Sequence, residues 1–253
     1  MAELSAPADR IERVSSLERA DRWWLVPAVT TITYSLFILY GLLRVFENNY
    51  DRWGPYLAPF YSPELPFSRW LGLPLSAAFY VAWVPLGFRA TCYYYRKSYY
   101  RAFFWDPPAC AVREPRRHYR GETAFPFILS NFHRFFLYTA IVISLILWYD
   151  AFSSLSYNGQ LHVGLGTVIL FVNALFIALY TFSCHSFRHL SGGNVDCYSC
   201  AYAGPDRHSF WTTISRLNKQ HGLYAWVSMF TVWGADLYVR MLAAGVITDP
   251  RFI

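Results

Sequence analysis

The chain has 253 residues, 55% of them hydrophobic and 20% aromatic, and only 15% charged, against about 25% charged in an average soluble domain. That balance excludes an ordinary soluble globule. The net charge of +6 lies in loops between apolar stretches, so it is read as membrane topology and contact with anionic lipid. No basic stripe or binding motif accompanies it, which argues against nucleic acid.

A helix crossing the hydrocarbon core needs about 20 apolar residues, and five segments meet that length, predicting an all-α membrane bundle over residues 1–253. No apolar stretch precedes Trp23, so no cleavable leader is expected and the first span itself directs insertion. That span, about 25–45, is uncharged from Leu25 to Leu43 and is anchored by Trp23 and Trp24. The second runs over about 70–95. The third, about 125–150, carries Arg134 near its start. The fourth, about 161–188, is apolar throughout most of its length. The fifth, about 222–247, is interrupted by Asp236 and Arg240, which lie at i, i+4 and can pair on one face.

The loops orient the bundle. Four basic residues precede the first span, seven lie between the second and third, and four between the fourth and fifth. The opposite side holds only Arg52, Arg69 and Arg251. The positive-inside rule therefore predicts a cytoplasmic N-terminus, an outer C-terminus and a home in the cell (plasma) membrane. Residues 48–69 hold four prolines and read as an ordered outer cap. Residues 96–124, preceded by a run of tyrosines, read as an interfacial segment followed by a cytoplasmic docking surface.

All five cysteines, Cys92, Cys110, Cys184, Cys197 and Cys200, map to the cytoplasmic side, as do six of the seven histidines. A reducing compartment argues against structural disulfides. His118, His162 and His208 read as interfacial, hydrogen-bonded rings. His185 and His189 are four apart, so one helix face offers both to a metal, with Cys184 about 100° away on the same turn. His133, His221 and Cys92 fall at the same depth. Two thiolates and two imidazoles suit a Rieske-type [2Fe–2S] centre, and they also suit zinc. The Cys197/Cys200 spacing is common in metal sites, but no second such pair follows. The outer halves of the spans hold only His162, which leaves no room for two bis-histidine haems. One haem b, between His133 or His221 and His185 or His189, remains open.

Cys92-Tyr-Tyr-Tyr-Arg96, Pro107-Pro-Ala-Cys-Ala-Val112, Asn131-Phe-His-Arg134, Ser183-Cys-His-Ser-Phe-Arg-His-Leu190 and Leu217-Asn-Lys-Gln-His221 together resemble the membrane-anchor subunit (SdhC type) of actinobacterial succinate dehydrogenase, respiratory complex II. The resemblance runs from Trp23 nearly to the C-terminus. It implies a subunit that anchors a flavoprotein and an iron–sulfur subunit at the cytoplasmic face and passes electrons from succinate to menaquinone. Better-known five-helix anchors carry two b haems, and this sequence lacks their outer histidine pair. The subclass it resembles is associated with a membrane-embedded Rieske-type cluster instead. The ligands are expected among Cys92, Cys110, Cys184, His185, His189, His221 and His133. His133, Arg134 and Arg188 are candidate quinone contacts. Imidazole ligation lifts a [2Fe–2S] potential to about −150 to +300 mV, the range a quinone partner needs. No flavin or dinucleotide fingerprint is present, so no dehydrogenase chemistry is expected on this chain.

Two other classes fit less well. His185-x-x-x-His189 matches one box of the membrane di-iron hydroxylases and desaturases, but no second box exists. A structural scaffold with incidental cysteines and histidines would leave the one-sided clustering without a cause.

Overall fold

A computed structural model of the chain describes residues 22, 24–47, 49–64, 76–103, 123, 125 and 127–252. Cys110, Trp23, His118, the N-terminal 21 residues and most of the expected docking loop lie outside them. Eight helices follow in chain order: α1 Leu25–Phe46, α2 Ala77–Thr91, α3 Tyr93–Phe103, α4 His133–Ser153, α5 Leu165–Phe182, α6 His185–Arg188, α7 Gly204–Asn218 and α8 His221–Ala243. A short 3₁₀ segment, Phe127–Phe132, leads into α4. Two short hairpins, Arg52–Trp53 with Tyr56–Leu57 and Ser156–Tyr157 with Gln160–Leu161, lie between helices.

Among the described residues, three helical runs are long and apolar enough to cross a membrane: Leu25–Phe46, Ile128–Ser153 and Leu165–Phe182. The second and fifth expected spans do not meet that standard among the described residues. Helix α2 has 15 residues, and the 23-residue α8 is diluted by Asp236, Arg240 and small polar residues.

Helix α1 is inside out relative to a soluble helix. Its buried positions are Thr30, Tyr34 and Arg44, while Val26, Ile32, Leu39 and Phe46 point outward. Lipid solvates apolar side chains, so polar groups turn to the bundle interior. Helix α5 sits between α4 and α8, and α1 leans on α2 and α3. Two buried clusters result. One, at the cysteine end, includes Phe88, Cys92, Tyr95, Leu137, Tyr180 and Cys184. The other, at the opposite end, includes Tyr56, Tyr61, Leu147, Leu170 and Val239.

That opposite end is held by charge. Arg44 and Asp236 are both fully buried and pair at 2.8 Å. Tyr40 donates to the same carboxylate at 2.6 Å, and the Phe60 amide does so at 3.2 Å. Glu47 bridges Arg44 and Arg240. The i, i+4 spacing predicts that Asp236 and Arg240 pair with each other; instead each takes a partner from the α1 end, because the bundle brings Arg44 and Glu47 over α8 from the far side. Close by, Tyr56 links His162 at 2.9 Å to Asp249 at 2.6 Å, so His162 is the hydrogen-bonded ring the sequence suggests.

Helices α2 and α4 meet closely at Gly87. A Cβ there would fall 2.3 Å from the Phe136 ring. Gly87→Val is therefore expected to force the two helices apart, destabilising the subunit by about 1–3 kcal/mol. The check is the melting temperature of the purified complex.

Candidate functional site

The fourth expected span does not run unbroken to residue 188. Helix α5 ends at Phe182, and Cys184 takes an extended conformation (φ −62°, ψ 145°) as the N-cap of α6, its sulfur accepting the Ser186 amide. Cys184 thus does not share a continuous helical turn with His185. The break turns Cys184 inward, 1% exposed, and leaves His185 and His189 on the exposed side.

Cys184 is met by His133, the first residue of α4, whose Nε2 lies 2.9 Å from its sulfur. A second pair stands beside it. Cys92, between α2 and α3, has its sulfur 3.4 Å from Nε2 of His221, the first residue of α8. Each donor comes from a helix end, where the chain turns and the backbone is free to aim a side chain inward. Among the described residues, no three ligand-type side chains converge as they would around one closed ion site; the donors come as two His–Cys pairs.

The shell around them is aromatic. Phe88 stacks on His133 with centroids 4.5 Å apart, and Tyr180 stacks on His221 at 5.0 Å. Both rings also face a cavity of about 430 Å³ lined by α1, α2, α3, α4, α5 and α8. Its lining is mostly apolar, with Arg89, Tyr34, Tyr95, Tyr99, Tyr180 and Thr181 reaching it on one side and Ser62 at the other end. Arg89 lies over the Tyr180 ring at 4.8 Å. It donates to Ser228 at 3.1 Å, to the Ala225 carbonyl at 3.3 Å and to the Tyr95 hydroxyl. Among the described residues these contacts are hydroxyls, a carbonyl and ring faces, with no carboxylate among them.

Residues 25–245 match the family described as actinobacterial succinate dehydrogenase subunit SdhC. The chain belongs to that family. It is accordingly a membrane-protein subunit of a multi-subunit oxidoreductase. Among solved structures it resembles a chain of the Mycobacterium smegmatis Sdh1 complex in the apo form, at 40% identity over 93% of each chain and a TM-score of 0.80. No curated protein matches it.

The sequence candidates of this SdhC subunit now divide. Cys184 pairs with His133 and Cys92 with His221, all four among the expected ligands; His133 is also one of the candidate quinone contacts. His185 and His189 face outward. Arg134 is exposed over the Phe135 ring, and Arg188 is spent on Ser215 at 2.8 Å and on the Trp211 face. Neither lines the cavity. The arginine that does is Arg89, and the sequence carries a signal for it: a lone ionisable residue inside an apolar run is a functional candidate by default. Cys197 and Cys200, expected to stay reduced, form a disulfide; their two-residue spacing in a tight turn sets their Cα atoms 5.3 Å apart.

Proposed function

We propose that this subunit carries electrons from a docked iron–sulfur subunit to menaquinone through a [2Fe–2S] cluster held by Cys92, Cys184, His133 and His221. The observation that carries the reading is the placing, at one end of the bundle, of two buried thiols, the buried His133 ring and the part-buried His221 ring, from four different elements, with each imidazole Nε2 against a sulfur. The donor set fits a Rieske-type centre, which takes two of each. When bound, such a centre passes single electrons at a potential suited to quinones.

The chain's own residues do the rest. Phe88 and Tyr180 wall off the donors from the cavity by one ring thickness and keep water out. Arg89 can hold a quinone carbonyl oxygen in that cavity, braced by Tyr95, whose hydroxyl accepts from it and donates to the Ala225 carbonyl, and the apolar walls beyond them, including Ile38, Leu42, Pro85 and Leu86, accept a prenyl tail. In this reading the chain crosses the cell membrane five times with its N-terminus inside. The cysteine end is cytoplasmic, where the flavoprotein and iron–sulfur subunits of complex II bind.

The purified complex should show a reduced-state EPR signal of a [2Fe–2S] centre with nitrogen ligands, beyond the signals of its soluble subunits. A haem b optical spectrum without that signal would overturn the assignment. Separately, Arg89→Leu is expected to lower kcat/KM for a menaquinone analogue about tenfold to a hundredfold, the worth of a charge-assisted hydrogen bond. Succinate oxidation by a soluble dye should be unchanged; an unaltered quinone KM would remove Arg89 from the site.

A further inference from the structure

Both imidazoles of the paired site have their second nitrogen on a hydroxyl. His133 Nδ1 lies 3.0 Å from Thr91 Oγ1, and His221 Nδ1 lies 2.8 Å from Ser183 Oγ. A hydroxyl has one proton to give. The Thr91 hydroxyl gives its proton to the Gly87 carbonyl, 2.6 Å away, one turn back on α2. Two bare oxygens would not tolerate that distance, so toward His133 the hydroxyl can only accept. The Ser183 hydroxyl also has a carbonyl acceptor of its own, that of Tyr180 at 3.2 Å; with its proton placed there, it is an acceptor toward His221. Ser183 is itself held in place, since Asn218 of α7 donates to its carbonyl at 2.7 Å.

We propose that Thr91 and Ser183 are positioning residues that lock His133 and His221 as Nδ1–H tautomers, making Nε2 of each ring the atom that binds iron. This rests on the cluster reading above and adds to it the identity of the ligating atom. The arrangement has a physical logic. A hydroxyl already committed to a helix carbonyl is a fixed acceptor, so a ring that moved its proton from Nδ1 to Nε2 would set two lone pairs against each other across the short Nδ1–hydroxyl contact and lose that hydrogen bond. The stacked Phe88 and Tyr180 rings hold each ring plane, so the tautomer also fixes where the Nε2 lone pair points. An acceptor on the far nitrogen makes the imidazole a stronger electron donor to its metal, which favours the oxidised cluster.

The test uses the whole complex from cells fed histidine labelled with ¹⁵N at either Nδ1 or Nε2. Pulsed EPR of the reduced cluster should show the strong nitrogen couplings carried by the Nε2 label. Strong coupling from the Nδ1 label would overturn the proposal while leaving the cluster and its four residues intact. Absence of any nitrogen-ligated cluster would overturn both readings. In parallel, Thr91→Val should shift the cluster's midpoint potential upward at fixed pH, and Thr91→Ser should restore it. An unchanged potential in Thr91→Val, with the cluster fully present, would also overturn it. A side chain that only packs would not separate valine from serine in this way.

Discussion

Cys184→Ala in the assembled complex is expected to abolish the nitrogen-ligated cluster signal and to lower succinate–quinone turnover by more than about a hundredfold. Altering a partner of a metal ligand commonly costs about 10–100-fold, and removing a ligand outright costs more. Dye-linked succinate oxidation, performed by the soluble subunits, should survive. Cys92→Ala should behave the same way, because the two thiols enter from different elements and neither can replace the other. His185→Ala and His189→Ala are the informative controls. Both side chains lie on the exposed side, so both variants should keep the signal and most of the quinone activity. Loss of the signal in either of them, with retention in Cys184→Ala, would shift the site to the α6 face and sink the four-residue assignment.

The second large effect lies at the other end of the bundle. Arg44 and Asp236 are buried completely and paired at 2.8 Å. Removing Asp236 leaves Arg44, among the described residues, with Glu47 alone, a carboxylate it shares with Arg240, and breaking a buried pair costs up to about 3–5 kcal/mol. Asp236→Ala should therefore lower the melting temperature of the purified complex further than Gly87→Val does. Replacing both residues with apolar ones, Arg44→Met with Asp236→Leu, should recover much of the loss, since well-packed apolar side chains often match a buried ion pair. Equal destabilisation by the single and double variants would show that Tyr40 and the Phe60 amide, not the ion pair, are what Asp236 serves. Glu47, just beyond α1, adds a pH dependence. Its hydrogen bond to Arg240, joined by one to Arg44, holds its carboxyl below the usual range despite some burial. The stability it contributes is fully present above the ordinary glutamate value of about 4.3 and is lost as pH falls through the lowered one. Thermal unfolding followed from pH 7 down to pH 3 should show Glu47→Gln losing part of that acid sensitivity.

The gathering of thiols and imidazoles at one end is legible in the sequence because apolar runs and basic loops place every residue by depth. The choice among them is not. No charged residue interrupts the run from Leu165 to Phe187, so no charge marks the break at Ser183 that turns Cys184 inward and His185 outward. The i, i+4 rule points Asp236 to Arg240 and has no knowledge of Arg44, which reaches α8 only through the packing of the bundle. Arg89 is legible in principle, as a charge in an apolar run, but its place at the end of the second span makes it look like an interfacial residue. The hydroxyls of Thr91 and Ser183 carry no sequence signal at all, since their meaning depends on which carbonyl lies one turn away.

The charged end of the bundle also has a history in time. Arg240 follows its partner Glu47 by 193 positions, and Asp236 is equally late relative to Arg44. At about 5–20 residues per second of synthesis, the ribosome needs on the order of 10–40 s to deliver α8 after α1 has emerged. Throughout that wait Arg44 has an acid within reach in Glu47, three residues on. Glu47 therefore offers Arg44 a partner from within its own stretch of chain before α8 exists, and in the finished bundle the same carboxylate is shared with Arg240.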